Sequence, residues 1–132
     1  MKEITVLEAK RYGAFHCNPE MKLKDAASQM VEEDISGLVV IGDDRSLLGI
    51  ITRTDLLRAW IENPSWDVQP VCAFMSREVV TVSPQDSIRD VAQLLIKEQI
   101  HRAVIAQAVE DKLLPLGVIS DADLVYHMAR NE

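Results

Sequence analysis

A mixed α/β fold is predicted, built from two β-α-β-β-α repeats related by a pseudo-two-fold axis and packed through their sheets. Two observations predict it. The chain matches itself at an offset of 65 residues, and each half runs through the same order of apolar patterns. At that offset Asn18-Pro19 falls on Ser83-Pro84, Asp25 on Asp90, Ala27 on Ala92, Glu33 on Glu98, Ile35 on Ile100 and Val39 on Val104. After a three-residue adjustment in the middle, GIITRTDLL (from Gly49) falls on GVISDADLV (from Gly117).

Each copy reads the same way. Ala14-Phe15-His16-Cys17 and Val79-Val80-Thr81-Val82 are short strands closed by Asn-Pro and Ser-Pro turns. Apolar residues at three- and four-residue spacing then mark helices: Leu23, Ala26, Ala27, Met30 and Val31, and in the second copy Ile88, Val91, Ala92 and Leu95. Ser87 with Asp90 resembles a capping box with Asp in place of Glu or Gln. The β-branched runs Leu38-Ile41 and Ala103-Ile105 are too short for helices and read as buried strands. Gly42-Arg45 turns the chain into the strand Leu48-Ile51; in the second copy a longer turn, Gln107 to Lys112, precedes Leu116-Ile119. A last helix closes each copy, around 53–62 and 121–130, with Thr52 and Ser120 placed to cap it. The expected partition is a first repeat over 1–62, a linker over 63–70 and a second repeat over 71–132.

Composition narrows the functions. With 48% hydrophobic residues among 132 the chain can build a core, and with 5% aromatic residues that core is aliphatic. A net charge of -7 argues against nucleic-acid binding, which needs clustered cations, but leaves room for a locally basic pocket holding a small anion. Cys17 and Cys72 form no CxxC pattern and read as reduced thiols. No run approaches the roughly 20 apolar residues of a membrane span. MKEITVLEAKRYG has no apolar core, so a signal peptide is not expected and a cytoplasmic protein is.

A unit of about 60 residues is marginal alone, so the two copies are expected to pack together and leave two related grooves at the seam. Helix N-termini would open there, and their unpaired N–H groups suit a phosphate. Thr52-Arg53-Thr54-Asp55 and Ser120-Asp121-Ala122-Asp123 each place a hydroxyl at the helix start and a carboxylate three residues on. The hydroxyl suits a phosphate and the carboxylate a ribose diol. The same spacing is also a capping-box variant, the commoner meaning of a single copy. Recurrence after Gly-apolar-apolar in both copies adds weight to a ligand role.

Paired units ending in Gly-h-h-(Thr/Ser)-x-x-Asp, with the second opened by MSREVVTVSPQDSI, resemble the tandem cystathionine-β-synthase (CBS) domain pair, the Bateman module. The resemblance runs from about Val6 to about Met128. It implies a regulatory module for adenosine-containing effectors (AMP, ADP, ATP or S-adenosylmethionine, in some members NAD), with no obligatory cofactor. It also implies a free-standing pair that forms a homodimer and is read by an unidentified protein target. Each family pocket draws on both repeats. Carried over, a first pocket uses Thr52, Arg53 and Asp55 with Val80, Thr81, His101 and Arg102. A second uses Ser120 and Asp123 with His16, Ser36 and Gly37.

The two pockets differ in charge. His101-Arg102 matches the family's basic pair, whereas the first copy has Ser36-Gly37 there. Asp121 stands where the first copy has Arg53, an exchange worth about 1 kcal/mol or more at a few ångströms from a phosphate. An anionic nucleotide is therefore expected at Asp55, and a neutral or cationic adenosyl ligand, or none, at Asp123. The opening of the first copy, KRYGAFHCNPE, departs from the family, with His16 where Thr81 stands in the second.

Of the remaining candidates, His127 is expected to meet the helix dipole rather than a metal. Trp60 and Trp66 are expected to pack the end of the first half or to make a dimer contact. Glu32-Glu33-Asp34 reads as a solvated helix end. No nucleophile–base constellation, metal cluster or P-loop is visible, so the chain is not expected to be an enzyme. The competing expectation is a structural scaffold with vestigial clefts.

Overall fold

The segment that opens the chain folds against the second repeat, not the first. The computed structural model describes residues 4–10 and 16–130. In it Thr5 caps a one-turn helix, α1 (Val6–Ala9), through a capping box with Glu8. Val6 and Ala9 are fully buried among Val91, Leu95, Ile105 and Ile119, all residues of the second repeat. The backbone holds the segment there through Val6 N–H to the Asp86 carbonyl at 2.8 Å and Ile88 N–H to the Ile4 carbonyl at 3.3 Å. His127 adds a side-chain bond, its Nε2 lying 2.7 Å from the Ala9 carbonyl. That histidine thus serves the opening helix, beyond the dipole role expected of it.

The first repeat consists of β1 (His16–Cys17), α2 (Leu23–Glu33), β2 (Gly37–Ile41), β3 (Leu47–Thr52) and α3 (Arg53–Glu62). After two short 3₁₀ turns the second repeats the order: β4 (Thr81–Val82), α4 (Ile88–Glu98), β5 (Arg102–Val109), β6 (Lys112–Ser120) and α5 (Asp121–Arg130). Each repeat has its own three-stranded sheet, β1-β2-β3 and β4-β5-β6. In both, the short first strand runs parallel to the central one and the third runs antiparallel. The repeat extends to irregularities: the ladder slips at Val40/Ile41 and at the equivalent Ile105/Ala106. Both first helices end on a left-handed residue, Asp34 (φ 51°) and Gln99 (φ 55°), which turns the chain into the central strand.

Contacts divide the chain into two units, 15–79 and 1–14 with 80–132. The reason lies in the lead segments. Val71 is the repeat equivalent of Val6, and it is fully buried in the first repeat's core with Leu23, Leu38 and Ile51. Ser76 bridges to Ile50 on the free edge of β3. Each unit therefore takes its lead segment from the stretch that precedes the other repeat in sequence.

Some expectations differ in detail. Ala14 and Phe15 lie outside the described residues, and only Thr81–Val82 of the 79–82 stretch pairs as strand. The long turn expected at 107–112 is a hairpin: β5 and β6 pair as far as Val109 and Lys112, and Glu110 takes a positive φ of 57°. Backbone pairing carries the ladder outward through exposed residues to Glu110 and Asp111, where the sequence suggests a loop. Cys17 is buried and its thiol pushed up to about 11 by desolvation, so it remains a thiol near neutral pH. Among the described residues, no helix is long and apolar enough to cross a membrane.

Candidate functional site

Both repeats build the same junction, where the third strand hands over to the last helix. Thr52 is extended (φ -121°, ψ 170°) and caps α3. Its Oγ1 accepts from Asp55 N–H at 3.4 Å, and Asp55 Oδ2 accepts from Thr52 N–H at 2.8 Å and from Thr52 Oγ1 at 3.0 Å. In the second repeat Ser120 and Asp123 reproduce this, with Asp123 Oδ2 accepting from Ser120 N–H at 2.9 Å and Oγ at 3.1 Å. Asp123 N–H returns a bond to Ser120 Oγ at 3.2 Å. The two carboxylates are the buried charged residues of the described chain, Asp55 8% and Asp123 5% exposed. The capping role weighed from sequence is real in both copies.

The strand that opens beside each helix is tied to it. Arg53 N–H donates to the Ser36 carbonyl at 3.1 Å, and Asp121 N–H donates to the His101 carbonyl at 2.8 Å. Gly37 lies opposite Thr52, and Arg102 opposite Ser120. Within its own unit, then, each helix N-terminus gathers the hydroxyl, the buried carboxylate and the two residues that lead into the central strand. Val80 and Thr81 belong with the second group, Val80 through its carbonyl, which accepts from Val104 N–H at 3.0 Å. His16 belongs with the first, on β1 opposite Val39, with its side chain outward while Cys17 points to the core.

Charge separates the two junctions. In the first, the exposed Arg53 guanidinium stands 3.8 Å from the fully exposed Asp34 carboxylate, a separation that leaves the cation loosely held. In the second, Asp121 Oδ2 lies 3.0 Å from His101 Nδ1. The acid that replaces Arg53 thus engages the histidine expected to face a ligand.

Arg58 was not anticipated as part of the site. Its Nη1 donates to Asp55 Oδ1 at 3.2 Å, so Asp55 holds three hydrogen bonds of the roughly four that a carboxylate accepts. A diol binding in bidentate fashion would have to displace Arg58, whose side chain is half exposed and free to swing. The spacing of Asp55 and Arg58, three residues apart on one helix, was the available signal. The second repeat has Tyr126 at the equivalent position.

The buried boxes have a measurable worth. Asp55→Ala and Asp123→Ala each remove the acceptor of a cap and are expected to cost about 1–2 kcal/mol, read from urea unfolding. Similar losses would mean that both carboxylates act first as caps; a loss confined to one would separate them.

The CBS domain family model matches residues 8–62 and 71–130. Inosine-5′-monophosphate dehydrogenase of Rhodopirellula baltica is 31% identical over 114 residues, 86% of this chain and 20% of that protein. The chain thus spans about a fifth of that relative's length. Among solved structures, the CBS domain pair of protein MJ0100 in complex with 5′-methylthioadenosine and S-adenosyl-L-methionine is similar with a TM-score of 0.85 and 19% identity, over 99% of this chain and 100% of that one. CBSX2 in complex with AMP is similar with a TM-score of 0.79 and 23% identity, over 96% of each chain. At these identities the likeness is one of fold.

Proposed function

Because the chain belongs to the CBS domain family, with two CBS domains in tandem, we propose that it is a regulatory module that binds an adenosine-containing ligand and passes the signal on through a homodimer. The observation that carries this reading is the repeated junction: a hydroxyl, a buried carboxylate and the first N–H groups of a ten-residue helix, together at the start of α3 and again at α5. Two relatives of the same fold, one with AMP and one with S-adenosylmethionine and methylthioadenosine, support an adenosyl ligand as the class.

In this reading the preferred ligand is an anionic nucleotide held by Thr52, Arg53 and Asp55 with Val80, Thr81, His101 and Arg102. Arg53 and Arg102 supply the cations, and a planar guanidinium fits phosphate oxygens in a fixed fork. Asp55 takes the ribose as Arg58 swings aside. Ser120 and Asp123, with His16, Ser36 and Gly37, form the weaker site, whose Asp121 disfavours phosphate and tolerates a neutral or cationic adenosyl group.

Calorimetric titration with AMP, ADP, ATP, S-adenosylmethionine and NAD tests it. One ligand is expected to bind in the micromolar range, to lose binding in Asp55→Ala and to keep it in Asp123→Ala. Both variants lose equivalent caps, so a difference between them reports on the ligand rather than on the helix. Loss in Asp123→Ala alone would reverse the ranking of the sites. Absence of binding by every ligand, with the fold intact, would favour a scaffold with vestigial sites.

A further inference from the structure

The two oxygens of Asp55 differ in freedom. Oδ2 is committed to the cap of α3, accepting from Thr52 N–H at 2.8 Å and from Thr52 Oγ1 at 3.0 Å. A ligand can therefore reach only Oδ1 without unmaking the helix start. That is the oxygen to which Arg58 Nη1 donates, at 3.2 Å. The two partners also differ in mobility. The Asp55 side chain is 11% exposed and fixed by its cap, whereas that of Arg58 is 54% exposed and has solvent to move into. When a sugar and the guanidinium compete for Oδ1, the guanidinium is the one that leaves.

The helix also provides a place for it to go. Asp55 stands three residues before Arg58, and the exposed Glu62 stands four residues after it, so an acid lies one turn to either side. In the second repeat the equivalents of Arg58 and Glu62 are Tyr126 and Arg130, with the Arg130 guanidinium 5.3 Å from the centre of the Tyr126 ring. An arginine set between two acids therefore belongs to the first repeat alone.

We propose that Arg58 is a specificity-determining gate of the Asp55 site, closed on Oδ1 without ligand and turned toward Glu62 when a ribose diol takes its place. The gate rests on the adenosyl reading above and adds to it what sets the affinity and which sugars gain by it. Three of the roughly four hydrogen bonds that Asp55 accepts are filled, which leaves one place. A sugar offering a single hydroxyl enters with the gate closed; a diol bound through both hydroxyls has to open it. Arg58 thus lowers the affinity for ribose and narrows its advantage over deoxyribose.

Calorimetry of the full chain with AMP and 2′-deoxy-AMP tests it, using wild type, Arg58→Met, Arg58→Lys and Glu62→Gln. These replacements keep helix propensity close to that of the native residues, and urea midpoints check stability. Simple attraction predicts that an anion binds more weakly when Arg58 is lost and more tightly when Glu62 is lost. The gate predicts both signs reversed. AMP is expected to bind about three- to tenfold more tightly to Arg58→Met, close to wild type to Arg58→Lys, and about twofold more weakly to Glu62→Gln. 2′-Deoxy-AMP is expected to change by less than about twofold between wild type and Arg58→Met. Weaker AMP binding by Arg58→Met would make Arg58 a phosphate contact and overturn the gate. Equal strengthening of AMP and 2′-deoxy-AMP would mark a structural effect and overturn it too. If none of the five ligands titrated above binds to wild type or to Arg58→Met, the adenosyl reading and the gate fall together. A ligand with a ribose diol bound equally by both proteins overturns the gate alone.

Discussion

Gly49→Ala is expected to destabilise the protein by about 3 kcal/mol, while Gly117→Ala, the same change at the equivalent position, costs less than about 1 kcal/mol. A Cβ on Gly49 would lie 2.6 Å from the Ser76 carbonyl oxygen and 3.0 Å from Met75 Sδ. The carbonyl cannot step aside, because it accepts from Ile50 N–H at 2.9 Å while Ser76 N–H donates to the Ile50 carbonyl at 2.9 Å. Admitting a methyl group means breaking that bridge or moving β3. A Cβ on Gly117 would lie 2.7 Å from Lys10 Cδ, the middle of a flexible side chain that can rotate away. Urea midpoints of the two variants settle the matter. Equal losses would mean that the Ser76 strand yields as easily as a lysine stem, and that the bridge contributes little.

The two glycines look alike in sequence, and that is instructive about what can be read there. The motif Gly-h-h-(Thr/Ser)-x-x-Asp located both junctions, and the helix bounds around 53–62 and 121–130 match α3 and α5. Capping is local, so its residues lie three apart and a spacing rule finds them. The strands and their order were legible for the same reason, through short apolar runs between turn residues. What lies over Gly49 or Gly117 is not local. It depends on where residues 71–76 and 4–10 go, and the repeat offset alone does not say. The hairpin at 107–112 was missed because its outer end is exposed and the polar Glu110-Asp111-Lys112 resembles a loop, whereas ladder bonds tolerate any side chain. Arg58 was missed for a different reason: an arginine three residues after an aspartate on a helix is usually a surface pair, and only the burial of Asp55 makes it matter.

The exchange of lead segments has a consequence that sequence proximity would get wrong. Val6→Asp is expected to cost about 3–5 kcal/mol, the scale of an unpaired charge in a packed apolar core. The damage should appear in residues 80–130, not in the repeat that follows Val6 along the chain. Val6 is fully buried against Val91, Ile105 and Ile119, and the backbone around it is bonded to Pro84, Asp86 and Ile88. Val71→Asp is the mirror experiment. Val71 is fully buried with Leu38 and Ile51, and its N–H donates to the Met21 carbonyl at 2.8 Å, so the loss should fall on residues 16–79. Amide hydrogen exchange separates the two, since local opening is read residue by residue. Protection lost over 80–130 in Val6→Asp and over 16–79 in Val71→Asp would establish that each fold unit is completed by the other repeat's leader. Losses in the opposite halves would mean that the leaders stay with the repeats they precede.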